Sequence, residues 1–112
     1  MSNSTNLIAT ERAALDRTAQ RQTTTALAEM LADADRMGLP PLTWTISSGL
    51  SRALEGRVPD IDPEPQASLR AWAAFCGLGV TKPHRAVGHC PHDEEVVISV
   101  SYDPEVQDPT QQ

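Results

Sequence analysis

The chain predicts a small α+β domain ordered helix, hairpin, helix, hairpin, with a four-stranded antiparallel sheet and both helices packed on one face. Three observations carry this expectation. Leu27, Met30, Leu31 and Ala34 recur at helical spacing, and so do Leu69, Trp72, Ala73 and Cys76. Leu42-Thr-Trp-Thr-Ile-Ser47 alternates apolar and hydroxyl side chains, the pattern of a half-buried strand. Glu95-Val-Val-Ile-Ser-Val-Ser-Tyr102 is the clearest strand of all, with Val96, Ile98, Val100 and Tyr102 on one face. At 112 residues the chain is one domain, large enough to bury a core without metal or disulfides.

Each element has its own reason. Residues 1–22 are polar, with Leu7, Ile8 and Leu15 as the only large apolar side chains. A heptad-like spacing of Ile8, Leu15 and Gln22 fails at its third member, so this segment reads as helical or disordered, and the folded domain is placed at 23–102. So thin a stripe makes an isolated helix marginal in water. The first helix proper follows from Thr24 and ends at Gly38 and Leu39-Pro40-Pro41 by a glycine just past the last turn and prolines beyond it. Thr23-Thr24-Thr25 either caps that helix or lies inside a longer one starting near Leu7, with a bend at the β-branched run. The strand at Leu42–Ser47 turns at Ser47-Ser48-Gly49 and returns over Leu50–Val58 with Leu50, Leu54 and Val58 on one side. Asp62 then Pro63 reads as an N-cap followed by a first-turn proline. The second helix runs to Gly77 and Gly79. Val80–Cys90 and Glu94–Tyr102 form the second hairpin about Pro91-His92-Asp93. Residues 103–112 have no periodic pattern and read as a disordered tail. The expected core joins Leu31, Leu69, Trp72 and Ile98, with Trp44 packed inward on its strand.

Charge and composition exclude several classes. The net charge is −6, with one lysine, Lys82, and eight scattered arginines. Non-specific nucleic-acid binding rests on cations that neutralise phosphates, so a DNA-associated regulator is only the third reading, kept open by the proximity of Arg12, Arg17 and Arg21. No apolar run approaches membrane-spanning length, and the first dozen residues lack the apolar stretch of a signal peptide. Cys76 and Cys90 have no pairing framework, which points to a reducing cytoplasm and two free thiols.

The helix ending at Met37-Gly38, the stretch Leu39-Pro-Pro-Leu-Thr-Trp44-Thr-Ile, and Leu69-Arg-Ala-Trp72-Ala-Ala-Phe-Cys-Gly together resemble small uncharacterised actinobacterial proteins. The resemblance covers roughly residues 24–102. High Ala and Arg usage with almost no lysine agrees with a GC-rich coding bias. It implies the fold and a bacterial cytoplasm, and it carries no activity to any residue.

All three histidines and one cysteine fall in His84-Arg-Ala-Val-Gly-His89-Cys90-Pro-His92-Asp93. Cys90 and His92, with Cys76 from the second helix, are the candidate metal ligands. Zinc asks for about four nitrogen or sulfur ligands in tetrahedral array. His89 and Cys90 are adjacent, point to opposite sides of a strand and cannot share one ion. Cys90 with a histidine base and Asp93 as orienter is the candidate thiol nucleophile. No glycine-rich phosphate loop, GxSxG elbow or HExxH helix occurs. The first reading is therefore a non-enzymatic bacterial accessory or regulatory module that works by protein–protein contact and self-associates as a homodimer, with no cofactor. Its interaction residues are Val97 and Thr45 on the outward sheet face and Leu7, Ile8 and Leu15 on the N-terminal segment. The alternative is a small metal-binding or thiol-dependent protein using the His84–Asp93 hairpin.

Overall fold

The computed structural model describes residues 2–47 and 52–104, with side chains from residue 10 onward. The elements are α1 (Ser2–Arg36), β1 (Thr43–Ile46), β2 (Ala53–Arg57), α2 (Pro65–Cys76), β3 (Gly79–Lys82), β4 (Arg85–Cys90) and β5 (Asp93–Ser101). They build a five-stranded sheet in the order β1-β2-β5-β4-β3. Two features of the expected architecture are corrected here: the sheet has five strands instead of four, and it is mixed instead of antiparallel.

The fifth strand comes from Pro83-His84, which breaks the expected Val80–Cys90 strand into the β3–β4 hairpin. Proline has no N–H for a ladder and sets its own φ, so a turn forms there. The parallel pair is β2 with β5, in the register Leu54↔Ile98 and Gly56↔Val100. Its cause is α2. This helix carries the chain from β2 to the far edge of the sheet, so that β3, β4 and β5 meander back and β5 arrives beside β2 in the same direction. Parallel neighbours require such a crossover.

Helix α1 is 35 residues long, about 52 Å at 1.5 Å per residue. The longest strand, β5, has nine residues and spans about 30 Å. Much of α1 therefore has no sheet beneath it. Residues 2–22 are the first part of this helix, and the boundary at residue 23 falls inside it. The threonine run is accommodated without interruption: Thr23 and Thr24 donate their hydroxyl protons back to the carbonyls of Ala19 and Gln20, at 2.8 and 2.7 Å, so a fully buried Thr23 leaves no polar group unpaired. The buried stripe is Ala19, Thr23, Ala26, Met30 and Ala34. Leu31 lies 100° round the helix from Met30 and is 38% exposed, which corrects its place in the expected core. A stripe made chiefly of small residues lets the helix axis approach the sheet closely.

Both helices end in the same way. Gly38 and Gly77 take φ of 70°, and the N–H groups of Leu39 and Leu78 reach the carbonyls of Ala34 and Ala73 at 3.0 and 2.8 Å. The start of α2 differs from expectation. Pro65, not Pro63, begins the helix, and Asp62 caps from outside by accepting from the Glu64 N–H (2.8 Å) and the Ser68 hydroxyl (2.6 Å). The Ser48-Gly49 turn and Leu50 lie outside the described residues, as does the tail beyond Pro104.

The core fills the space between the sheet and its two helices. Leu54, Ala86, Val96, Ile98 and Val100 face Met30, Leu69, Trp72 and Cys76. Trp72 stands at the junction: its ring meets Trp44 (5.4 Å) and Phe75 (5.7 Å) edge-on, and its indole N–H donates to the Pro40 carbonyl at 2.8 Å. Replacing Trp72 by Ala should cost about 3–5 kcal/mol in denaturant melts. Leu31→Ala should cost less than about 1 kcal/mol. Equal losses, or a Trp72 variant as stable as the parent, would contradict this packing.

Candidate functional site

The His84–Asp93 segment is compact in sequence and dispersed in space. Strand alternation sends His89 to the surface and Cys90 beneath α1. The Cys90 Sγ lies 4.0 Å from the Ala26 carbonyl, and the Cys76 Sγ lies 3.7 Å from the Met30 Sδ. Both thiols are thus buried one helical turn apart under the same stretch of α1. Burial, and secondarily the neighbouring Cys90, pushes the Cys76 thiol up to about 12. That environment suppresses the thiolate, the form that attacks or binds metal.

The three histidines serve three separate contacts. The His84 ring meets the Tyr102 ring edge-on at 6.3 Å. The His89 Nδ1 sits 2.8 Å from the Glu94 carbonyl. His92 turns outward to α1, with Nε2 2.6 Å from the Asp33 Oδ2 and Nδ1 3.5 Å from the Glu29 Oε2. Cys76 and Cys90 thus point into the core while His92 points away from it. Among the described residues no group of three or more His, Cys, Asp or Glu side chains could hold a metal ion.

Beside His92 lies a polar seam that sequence spacing could not reveal, because its members are far apart in the chain. The Gln22 Nε2 donates to the Asp93 Oδ2 at 2.8 Å, while its Oε1 accepts from the Arg52 Nε at 2.7 Å. Arg52 also stands 3.7 Å from Glu95. The Gln22 amide, and then the Glu95 N–H, hold the Asp93 carboxyl below the usual carboxylate range. This seam rivets α1 to the start of β5. Its groups satisfy one another, so it reads as attachment of the helix and not as a reaction centre.

An open notch of about 440 Å³ lies between Pro40-Pro41 and Pro59–Pro63, beside Ile61, which is 92% exposed. Its one carboxylate with two close partners, Asp62, is occupied in capping α2.

The remaining candidate is the sheet face that carries no helix. The strand registers arrange it in rows. One row is Thr43, Arg57, Ser101, Arg85 and Lys82. The next is Thr45, Glu55, Ser99, Val87 and Gly79. A third joins Ala53, Val97 and His89, and Glu95 follows on β5. Val97 and Thr45 therefore share this face, and Val97 is 39% exposed. Leu15, the third kind of contact residue expected, is 56% exposed on α1. The side chains of Leu7 and Ile8 lie outside those described. The basic row was not legible in the sequence, since Arg57, Lys82 and Arg85 meet only through the crossover that brings β5 beside β2.

No helix among the described residues is long and apolar enough to cross a membrane. No protein-family model, curated protein or solved structure matches this chain.

Two titrations check the geometry. The unfolded Cys76 thiol ionises near 9.0 and the folded one near 12. Between these values the folded state keeps a proton that the unfolded state releases, so Cys76 lowers stability as pH rises across that window. Cys76→Ala should flatten this part of the stability profile; an unchanged slope would mean the thiol is solvated. Asp93 has the opposite sign. Its depressed carboxyl adds stability above the ordinary carboxylate range, and this is lost as pH falls through the folded value. Gln22→Leu should move the Asp93 midpoint upward in an NMR titration, whereas an unmoved midpoint would remove Gln22 as the cause.

Proposed function

We propose that this chain is a non-enzymatic accessory or regulatory module that acts through protein–protein contact, with the open face of its sheet as the contacting surface. One observation carries the reading: a face five strands wide has no helix on it, and Val97 stands exposed near its centre. The core closes on the other side without help from this face. Thr45, Ser99, Ser101, Ala53 and Val97 are short side chains that lose little rotamer freedom when covered. A broad surface with one apolar point, hydroxyls around it and charges at its rim suits a protein partner better than a small substrate. The reactive side chains of the His84–Asp93 segment are each committed to a different neighbour, which disfavours chemistry there. The setting we infer is a bacterial cytoplasm, in keeping with the actinobacterial resemblance and two unpaired thiols.

A photo-activated cross-linker at Thr45 should trap a polypeptide in the producing cells. Val97→Glu in the same chain should abolish the trapped species while changing stability by no more than about 0.5 kcal/mol, as an exposed substitution does. Absence of any adduct at Thr45, or an adduct indifferent to Val97→Glu, would overturn the reading.

A further inference from the structure

We propose that the occupant of the open sheet face is a second copy of this chain, packed face to face about a two-fold axis that crosses the strands at the level of Ile98. The inference rests on the contact reading above and adds the identity and geometry of the partner. Charge placement carries it. At one end of the face, Arg57, Arg85 and Lys82 stand in one row with Ser101 between the two arginines. Arg85 and Lys82 are exposed and make no ion pair among the described residues; Arg57 lies 3.7 Å from Asp60 and 3.9 Å from Asp103. At the other end of the same face β5 carries Glu95, 67% exposed, and the exposed Glu94 adds negative charge beside it.

Two symmetric ways of stacking the faces can be compared. An axis parallel to the strands and centred on β5 places β2 of one copy over β4 of the other, with Arg57 against Arg85 and like charges opposed. An axis perpendicular to the strands reverses the rows. Position 101 then lies over position 95 of the other copy, and 99 over 97. Each Glu95 lands over a Ser101 and between an Arg57 and an Arg85, and each Val97 is covered by a Ser99. Glu55 meets Ala53, and Val87 meets His89. Arg52, the other cation at this end, is turned toward α1 by Gln22. The second arrangement makes every charge contact twice and closes on itself, as a two-fold interface must.

The face also bounds the strength. Five strands about 4.8 Å apart and four rows deep present about 500 Å², below the roughly 800 Å² per partner of a standard stable interface. The dimer is therefore weak, and it loosens with salt because its charged rim is exposed.

The experiment is sedimentation of the full chain across protein and salt concentration, together with two charge reversals. Arg85→Glu and Glu95→Arg each turn two attractive contacts into repulsive ones and should each weaken self-association by about tenfold or more. Mixed one to one, they should recover it, because both cross-contacts become Glu–Arg pairs. Melting curves of the two variants should stay close to that of the parent, since both side chains are exposed. Failure of the mixture to recover association would overturn the geometry. A chain that is monomeric up to about 1 mM, where association would be worth only some 4 kcal/mol, would overturn the dimer. If the Thr45 cross-linker then traps a different polypeptide, the contact reading survives without the dimer. If it traps nothing, both fall.

Discussion

The parallel pairing of β2 with β5 is the constraint on which the rest of the structure depends. It joins two parts of the chain that would otherwise share little: α1 with the β1–β2 hairpin, and α2 with the β3–β4–β5 meander. Residues 53–57 meet 97–101 only after the intervening helix and two hairpin turns have formed. Loop closure over such a separation is costly before contacts reward it. The reward is the centre of the core, where Leu54 sits beside Ile98, both fully buried. Because α2 crosses on the same side as α1, all helical cover falls on one face and the other stays open.

Gly56 makes this junction possible at close range. A Cβ at this position would lie 2.9 Å from two atoms of the Trp44 ring and 3.0 Å from a Leu42 methyl. The missing side chain lets the Trp44 indole lie flat over β2, where it meets Trp72 edge-on. Trp72 in turn ties α2 to the linker after α1 through the Pro40 carbonyl. A single glycine on β2 thereby sets the position of the two largest side chains in the protein. Gly88 plays the same part on β4, where an added Cβ would come within 2.8 Å of a Leu78 methyl.

Helix α1 is attached by two different means. Its alanine-rich stripe buries little area per residue, so dispersion and area alone hold it modestly. Its register is fixed by polar contacts at defined points: Gln22 between Asp93 and Arg52, and His92 against Asp33 and Glu29. Such partly exposed contacts add little energy each, but they are directional, which an alanine stripe is not. The histidine that stood out in the sequence as a potential ligand is used here to hold a helix in place.

What the sequence determined by itself is the kind and approximate extent of each local element. Alternation at Leu42–Ser47 and Glu95–Tyr102, helical spacing at Leu69–Cys76 and the glycine stops at Gly38 and Gly77 are all read from neighbours within a few residues, and the structure has those elements. The divergence of His89 and Cys90 was equally legible, because it follows from strand geometry. Tertiary structure alone decided the rest. Pro83-His84 made a turn where an unbroken strand was expected, since β4 had to reverse to pair with β5. Leu31 was left at the surface and Thr23 taken inside, because the sheet selects which stripe of α1 it covers. The Gln22–Asp93 seam and the Arg57–Ser101–Arg85–Lys82 row join residues separated by tens of positions. No spacing in the chain encodes them; they exist because a parallel crossover lays β5 beside β2.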